Sequence, residues 1–377
     1  MGMLRSAGLP LALAVALGLV VAGCGSDDDE AGREANTGPV AEYASAREAV
    51  RTIGREVVAQ LAAGDTDPVA ARFSPELAAR FSGEQLRQLA AQLRDTGGIG
   101  ERTDEGELVQ GPDFRVYQAE HQVGAARWTF GLVFDAEGSI VGGDIQPPPP
   151  PLPPDPKAGY RTQSNLRFPA GGEWFVYWGG DTDRTNYHVR APDQRHAYDL
   201  VVWRNGATHR GAGTENDDYW AWGQEVLAPA AATVVEALDG VTDNQPQTAG
   251  APADGGQATG GQAAGGQAAG GEATHPAGNH VLLDVGHGEY VLLAHFQEGS
   301  VRVKAGDRVE EGQVLGLCGS SGNSSEPHIH VHLQDSSTAL QGAGLPLAFS
   351  DLIVDGDGVA SAELLQGQFV ASDPRRS

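Results

Sequence analysis

The segment most able to do chemistry is Pro327-His328-Ile329-His330-Val331-His332. On a β-strand alternate side chains share a face, so its three imidazoles project together. A neutral imidazole binds transition metals, and it exchanges protons near neutral pH. Of the chain's 11 histidines, ten lie between His188 and His332, which makes this region the place to look for metal ligands. Upstream, Gly316-Leu317-Cys318-Gly319-Ser320-Ser321-Gly322-Asn323-Ser324-Ser325-Glu326 reads as a tight loop feeding the histidine strand.

Other pieces stand in a telling order. Glu289-Tyr-Val-Leu-Leu-Ala-His295 is a strand ending in histidine, followed by the glycine turns Val303-Lys-Ala-Gly306-Asp-Arg-Val309 and Gly312-Gln313-Val-Leu-Gly316. Before it come Ala197-Tyr198-Asp199-Leu200-Val201 and Gly223-Gln-Glu-Val226-Leu-Ala228-Pro229-Ala230. Together with Pro-His-x-His, this succession from about Phe168 to Asp335 closely resembles the lysostaphin-like (LytM-type) zinc metalloendopeptidases. The resemblance implies Zn2+ as cofactor, His330 and Asp199 as metal ligands, and His295 and His328 as catalytic residues beside the reacting centre.

The remaining ligand is less direct. Typical members of that family carry a histidine four residues before the aspartate, where this chain has Arg195, a side chain with no lone pair for a metal. His196 lies three residues before Asp199, and strand alternation sends the two to opposite faces unless a bulge intervenes. His188 lies in an adjacent loop, and Asn186-Tyr187-His188 followed by Gln194 to Asp199 resembles a variant branch with Asn-x-His. His188 is the preferred third ligand, with His196 as the alternative. His332 is expected to pack further along its strand, and His209, His275, His280 and His287 read as loop or turn residues.

Two segments frame the chain's organisation. Met1 to Arg5 is positively charged, Leu9 to Val21 is apolar, and Val21-Ala22-Gly23-Cys24 resembles a lipobox. Residues 1–24 therefore read as a lipoprotein signal peptide, with lipid expected on Cys24 and an extracytoplasmic, membrane-anchored location. Cleavage before Cys24 leaves Cys318 as the one other thiol, so no intramolecular disulfide is expected beside the lipid-bearing residue. Residues 25–40 are polar and acidic and read as a flexible tether. At the other landmark, Pro147 to Pro154 is nearly all proline, which predicts an extended spacer over 147–156.

Between these segments, 41–146 reads as a small α+β domain. Val50, Ile53, Val57 and Leu61 recur at helical spacing, Ser82 and Gln85 form a capping-box pair, and Phe114 to His121, Trp128 to Phe134 and Ser139 to Ile145 are strand-like. The order of elements weakly resembles cone-shaped domains of the nuclear-transport-factor type. Residues 161–350 read as a mainly antiparallel β domain with a groove, interrupted over 243–277 by repeated Gly-Gly-Gln/Glu-Ala pentads expected to be a disordered insertion. Residues 351–377 read as a C-terminal extension.

Lys and Arg total 25 against 50 Asp and Glu, a net charge of −25 that argues against nucleic acid as a partner. A solute-binding lipoprotein would need two large α/β lobes, which the β-rich histidine region does not provide. The resemblance implies hydrolysis of peptidoglycan peptides at the membrane, or an inactive scaffold regulating such hydrolysis. The sequence specifies no oligomeric state.

Overall fold

The computed structural model describes residues 39–375, apart from 111–113, 136, 149, 205 and 247–274. The signal segment, Cys24, most of the tether and the pentad repeats lie outside the described residues. Among the described residues no helix is long and apolar enough to cross a membrane. Two compact units are present, one over Ala41–Pro151 and one from Leu152 onward.

The first unit begins with helices α1 (Pro39–Ala63), α2 (Asp67–Ala71), α3 (Pro75–Arg80) and α4 (Gly83–Asp95). Val50, Val57 and Leu61 form the buried stripe of α1. Ser82 caps α4 through the reciprocal capping box with Gln85. Strands β1 (Ile99–Gln110), β2 (Phe114–Val123), β3 (Ala126–Phe134) and β4 (Ile140–Gln146) form an antiparallel meander in that order. Tyr117, Phe130, Phe134 and Ile140 from this sheet share a core with Val57, Leu77 and Leu86 from the helices. The sequence reading begins its strands at Phe114 and misses β1. In Ile-Gly-Glu-Arg-Thr-Asp-Glu-Gly-Glu the charges interrupt any alternation, and residues 101–104 are exposed on an edge strand.

The second unit contains β5 (Trp174–Trp178), a 3-10 turn at Tyr187–Arg190, β6 (Tyr198–Val201), β7 (Glu225–Leu227), β8 (Ala232–Leu238), β9 (Asn279–Gly286) and β10 (Glu289–Phe296). It continues with β11 (Arg308–Val309), β12 (Val314–Leu317), β13 (Ile329–Gln334), β14 (Gly344–Leu345), β15 (Ala348–Val354), β16 (Asp357–Glu363) and β17 (Phe369–Ser372). The main sheet runs β11-β8-β9-β10-β13-β6-β5-β17-β15-β16, with β14 paired to β13. An α+β unit is thus followed by a mainly antiparallel β unit, the class expected from the sequence.

Two differences from the sequence reading concern the second unit. Residues 351–377, expected as an extension, supply most of β15 and all of β16 and β17, and β17 pairs with β5 inside the main sheet. The ends of the pentad insertion are packed: Asp243 bridges to Ser321, and Ala277 is buried.

Strands β6, β10 and β13 lie in the middle of the sheet and are buried on both faces. Ile329, Val331 and Leu333 of β13 point into the large core with Leu293, Phe296 and Leu200. Leu293 is fully buried there, so Leu293→Ala should lower unfolding free energy by about 2–5 kcal/mol. Denaturant titration reads this directly, and a loss below about 1 kcal/mol would mean that this core does not hold the sheet as described.

Candidate metal centre

The pairing of β13 with β6 sets His330 opposite Asp199, and the pairing of β13 with β10 sets it opposite Ala294. Cross-strand neighbours stand close enough for side chains to meet. His330 Nδ1 lies 2.9 Å from Asp199 Oδ1. The 3-10 turn brings His188 Nε2 to 3.6 Å from the same oxygen. One donor atom from each of His188, Asp199 and His330 falls within 4.8 Å of the others, and all three residues are buried.

The hydrogen bonds behind His188 decide which of its nitrogens carries the proton. Asn186 Nδ2 donates to the carbonyls of Gly180 and Ala197, so its Oδ1 must be the end facing His188. That oxygen accepts from His188 N at 3.2 Å and from His188 Nδ1 at 2.8 Å. His188 Nε2 is therefore the bare nitrogen, and it points at a carboxylate oxygen. Two lone pairs facing each other in a buried site repel unless a cation lies between them. An inward imidazole nitrogen, a carboxylate and a second imidazole form a three-ligand set that suits zinc and leaves a coordination position open.

Charge states agree with this fit. Burial drives His188 down to about 3, which keeps its ring neutral. Tyr187 lies with its ring 3.9 Å from that of His188, and its hydroxyl donates to Asp199 Oδ2 at 3.3 Å. Burial, then the Asp199 charge, pushes this phenol well above its ordinary value, so it remains a donor.

Two more histidines face the group. His328 Nδ1 donates to the carbonyl of Glu326 at 2.8 Å, and its Nε2 lies 3.6 Å from Asp199 Oδ1. His295 Nδ1 donates to the carbonyl of Ser321 at 2.7 Å, and its ring centre is 4.7 Å from that of His328. Both rings thus turn Nε2 inward. His295 has φ +63 at a bulge in the β9–β10 pairing, an uncommon conformation for a residue with a Cβ. Its N–H donates to Ala277 O and its carbonyl accepts from Gly319 N, which hold the strained backbone in place. Glycine is needed in the facing loop as well: at Gly322, φ +75, a Cβ would lie 2.3 Å from Gly278 N.

The structure does not bring His196 to this group. It lies in the turn before β6, with Nε2 3.1 Å from Asp155, while neighbouring Arg195 donates to Pro153 O. Both side chains thus hold the end of the proline-rich segment. His332 lies on the same face of β13 as His330, directly behind it. His209 packs on Tyr219, and His275 stacks on His280. His280, read from sequence as a loop residue, is fully buried in β9 with Nε2 3.2 Å from Glu236. His287 sits in the β9–β10 turn with φ +59. Cys318 is free and buried, and burial pushes its thiol up, so it is a packing residue.

Sequence reasoning missed what Asn186 and Tyr187 do. The Asn-x-His pattern marks the position, but hydrogen bonding to Gly180 and Ala197 depends on how the loop closes.

Residues 262–341 match the profile described as Peptidase family M23. No curated protein matches the chain. Among solved structures, the catalytic domain of lysostaphin from Staphylococcus simulans is 19% identical over 48% of this chain and 89% of its own length, with a TM-score of 0.24. The catalytic domain of a prophage-encoded M23 protein, EnpA from Enterococcus faecalis, in a mutant form, is 18% identical over 49% of this chain and 95% of its own, with a TM-score of 0.21. A peptidase M23 from Pseudomonas aeruginosa is 17% identical over 63% of this chain and 87% of its own, with a TM-score of 0.24. Residues 262–341 thus match the family to which the sequence resemblance points.

Zinc content separates the candidate ligands. Wild type should carry about one zinc per chain. His188→Ala, Asp199→Ala and His330→Ala should lose it, and His196→Ala should keep it. Zinc retained in His188→Ala but lost in His196→Ala would move the third ligand to His196.

Proposed function

We propose that this chain is a zinc-dependent endopeptidase that hydrolyses peptide bonds in cell-wall peptidoglycan, tethered outside the cytoplasm by lipid on Cys24. The observation that carries the reading is the buried His188–Asp199–His330 group, in which an imidazole lone pair is aimed at a carboxylate. The M23 match supports peptidase chemistry of the cell-wall type. The sequence pattern before Cys24 supports the anchor.

His188, Asp199 and His330 would hold the metal, which when bound supplies Lewis-acid chemistry to the scissile carbonyl and the attacking water. The chain's own residues handle the protons. His295 and His328 each have Nδ1 committed to a backbone carbonyl, so their Nε2 atoms can accept a proton. As water oxygen bonds to the carbonyl carbon, one of these atoms takes the water's proton. The resulting imidazolium faces the developing oxyanion and stabilises it. When the carbon–nitrogen bond breaks, a proton passes to the leaving amine. Tyr187 holds the second oxygen of Asp199 and keeps the carboxylate oriented.

His328→Ala should retain zinc while losing about 100-fold or more in turnover of purified cell walls. Normal turnover in that variant would remove His328 from the reaction. Wild-type protein with a full complement of zinc and no hydrolysis of any wall preparation would favour the scaffold reading instead.

A further inference from the structure

Behind His330 the polar face of β13 continues without a break. His330, His332 and Gln334 are spaced two apart on the strand, and all three are buried. His330 Nε2 lies 2.9 Å from His332 Nδ1, and His332 Nε2 lies 3.0 Å from Gln334 Oε1. Distances alone leave the direction of each hydrogen bond open, since either ring nitrogen can carry the proton. The far end of the row removes that freedom. Gln334 Nε2 donates to the carbonyls of Ser336 and Thr338 at 2.6 and 2.7 Å. Gln334 Oε1 accepts from Leu340 N at 3.2 Å. Backbone carbonyls only accept and backbone N–H groups only donate, so these three contacts fix the amide's orientation.

The rest follows by elimination. Gln334 Oε1 can only accept, so His332 Nε2 carries a proton. A neutral imidazole has one N–H and one bare nitrogen, so with Nε2 donating to Gln334 the His332 Nδ1 that faces His330 is the acceptor. His330 Nε2 must then donate to it. His330 Nδ1, 2.9 Å from Asp199 Oδ1, is the atom left to meet the metal.

We propose that His332 and Gln334 are positioning residues that hold His330 in its Nε2–H tautomer and so make Nδ1 its metal-binding atom. The competing arrangement is close at hand. With no acceptor behind it, His330 could put its single proton on Nδ1 and donate to Asp199, which would close the site to a metal. The row from Gln334 opposes that tautomer and preserves the lone pair that binding requires. This assignment rests on the metal reading for its purpose, but the direction of the hydrogen bonds does not.

Two measurements test it. Long-range 1H–15N spectra of the histidine rings in the full wild-type chain, with and without zinc, report each ring's protonated nitrogen. His332 is expected to carry its proton on Nε2, with Nδ1 bare; a proton on His332 Nδ1 overturns the proposal whether or not the protein binds zinc. The second measurement is zinc affinity by competition with a chromophoric chelator. His332→Phe keeps a ring but offers no acceptor, and should weaken binding about 10–100-fold. His332→Gln restores an acceptor and a donor, and should bind within about threefold of wild type. Equal affinities for the two variants, with matched thermal stability of the metal-free proteins, would reduce His332 to packing. Failure of the wild type to bind zinc would instead sink the metal reading, while the ring spectra would still decide the tautomer.

Discussion

The second unit depends on one buried carboxylate. Asp199 is 5% exposed in the middle of the main sheet, where an unpartnered charge would cost several kcal/mol. Its neighbours are three imidazoles from two separate segments, His188 from the 3-10 turn and His328 and His330 from the stretch that enters β13. The hydroxyl of Tyr187 donates to Asp199 and lowers the cost of burying it, but three bare nitrogens aimed at its other oxygen leave that cost only partly offset. A bound cation would complete the balance, so metal binding and folding of this region should be coupled. The β6–β13 register is what makes the coupling possible, because a one-residue slip would turn Asp199 or His330 into the opposite core.

Much of this was legible in sequence, and the reasons for the exceptions are physical. His328, His330 and His332 announce themselves because period-two spacing of a polar residue type among Ile329, Val331 and Leu333 has few readings other than a strand with two distinct faces. Asp199 and His295 followed from the family resemblance, and each stands at a strand whose apolar pattern is strong. Strand β16, Asp-Gly-Val-Ala-Ser-Ala-Glu, has no such pattern because it lies at the sheet edge with most side chains exposed. The sequence alone therefore gives an extension there, and the strands beside it go unmarked with it. His280 was hidden for the opposite reason, since only tertiary contact with Glu236 reveals a polar residue satisfied inside a strand.

The choice between His188 and His196 shows where sequence separation misleads. His196 is nearer to Asp199 along the chain, but the turn ending at Ala197 directs it to Asp155. His188 is eleven residues away and comes back because the loop between β5 and β6 closes on itself. Thr185 and Asn186 both bond to Thr182 O, directly through their backbone N–H groups, and Gly179 N bonds to Thr185 O. Closure of a short loop costs little entropy, so a few such bonds suffice to bring this imidazole to Asp199 from outside the strand.

Two buried amides complete this logic from opposite sides of the site. Asn186 spans the base of the loop through Nδ2 and uses Oδ1 to hold the backbone and ring of His188. Gln334 spans the turn after β13 through Nε2 and uses Oε1 to hold His332. An amide has one donating end and one accepting end, so committing the donor to backbone carbonyls dictates what the other end requires of a histidine. In both places a contact that shapes a turn also selects the nitrogen that faces Asp199. The inward nitrogens differ, Nε2 for His188 and Nδ1 for His330, because Asn186 acts on its histidine directly whereas Gln334 acts through a second ring. A mutation that merely loosens either turn would therefore also disturb the protonation pattern of the site, so the geometry of these loops and their chemistry cannot be varied independently.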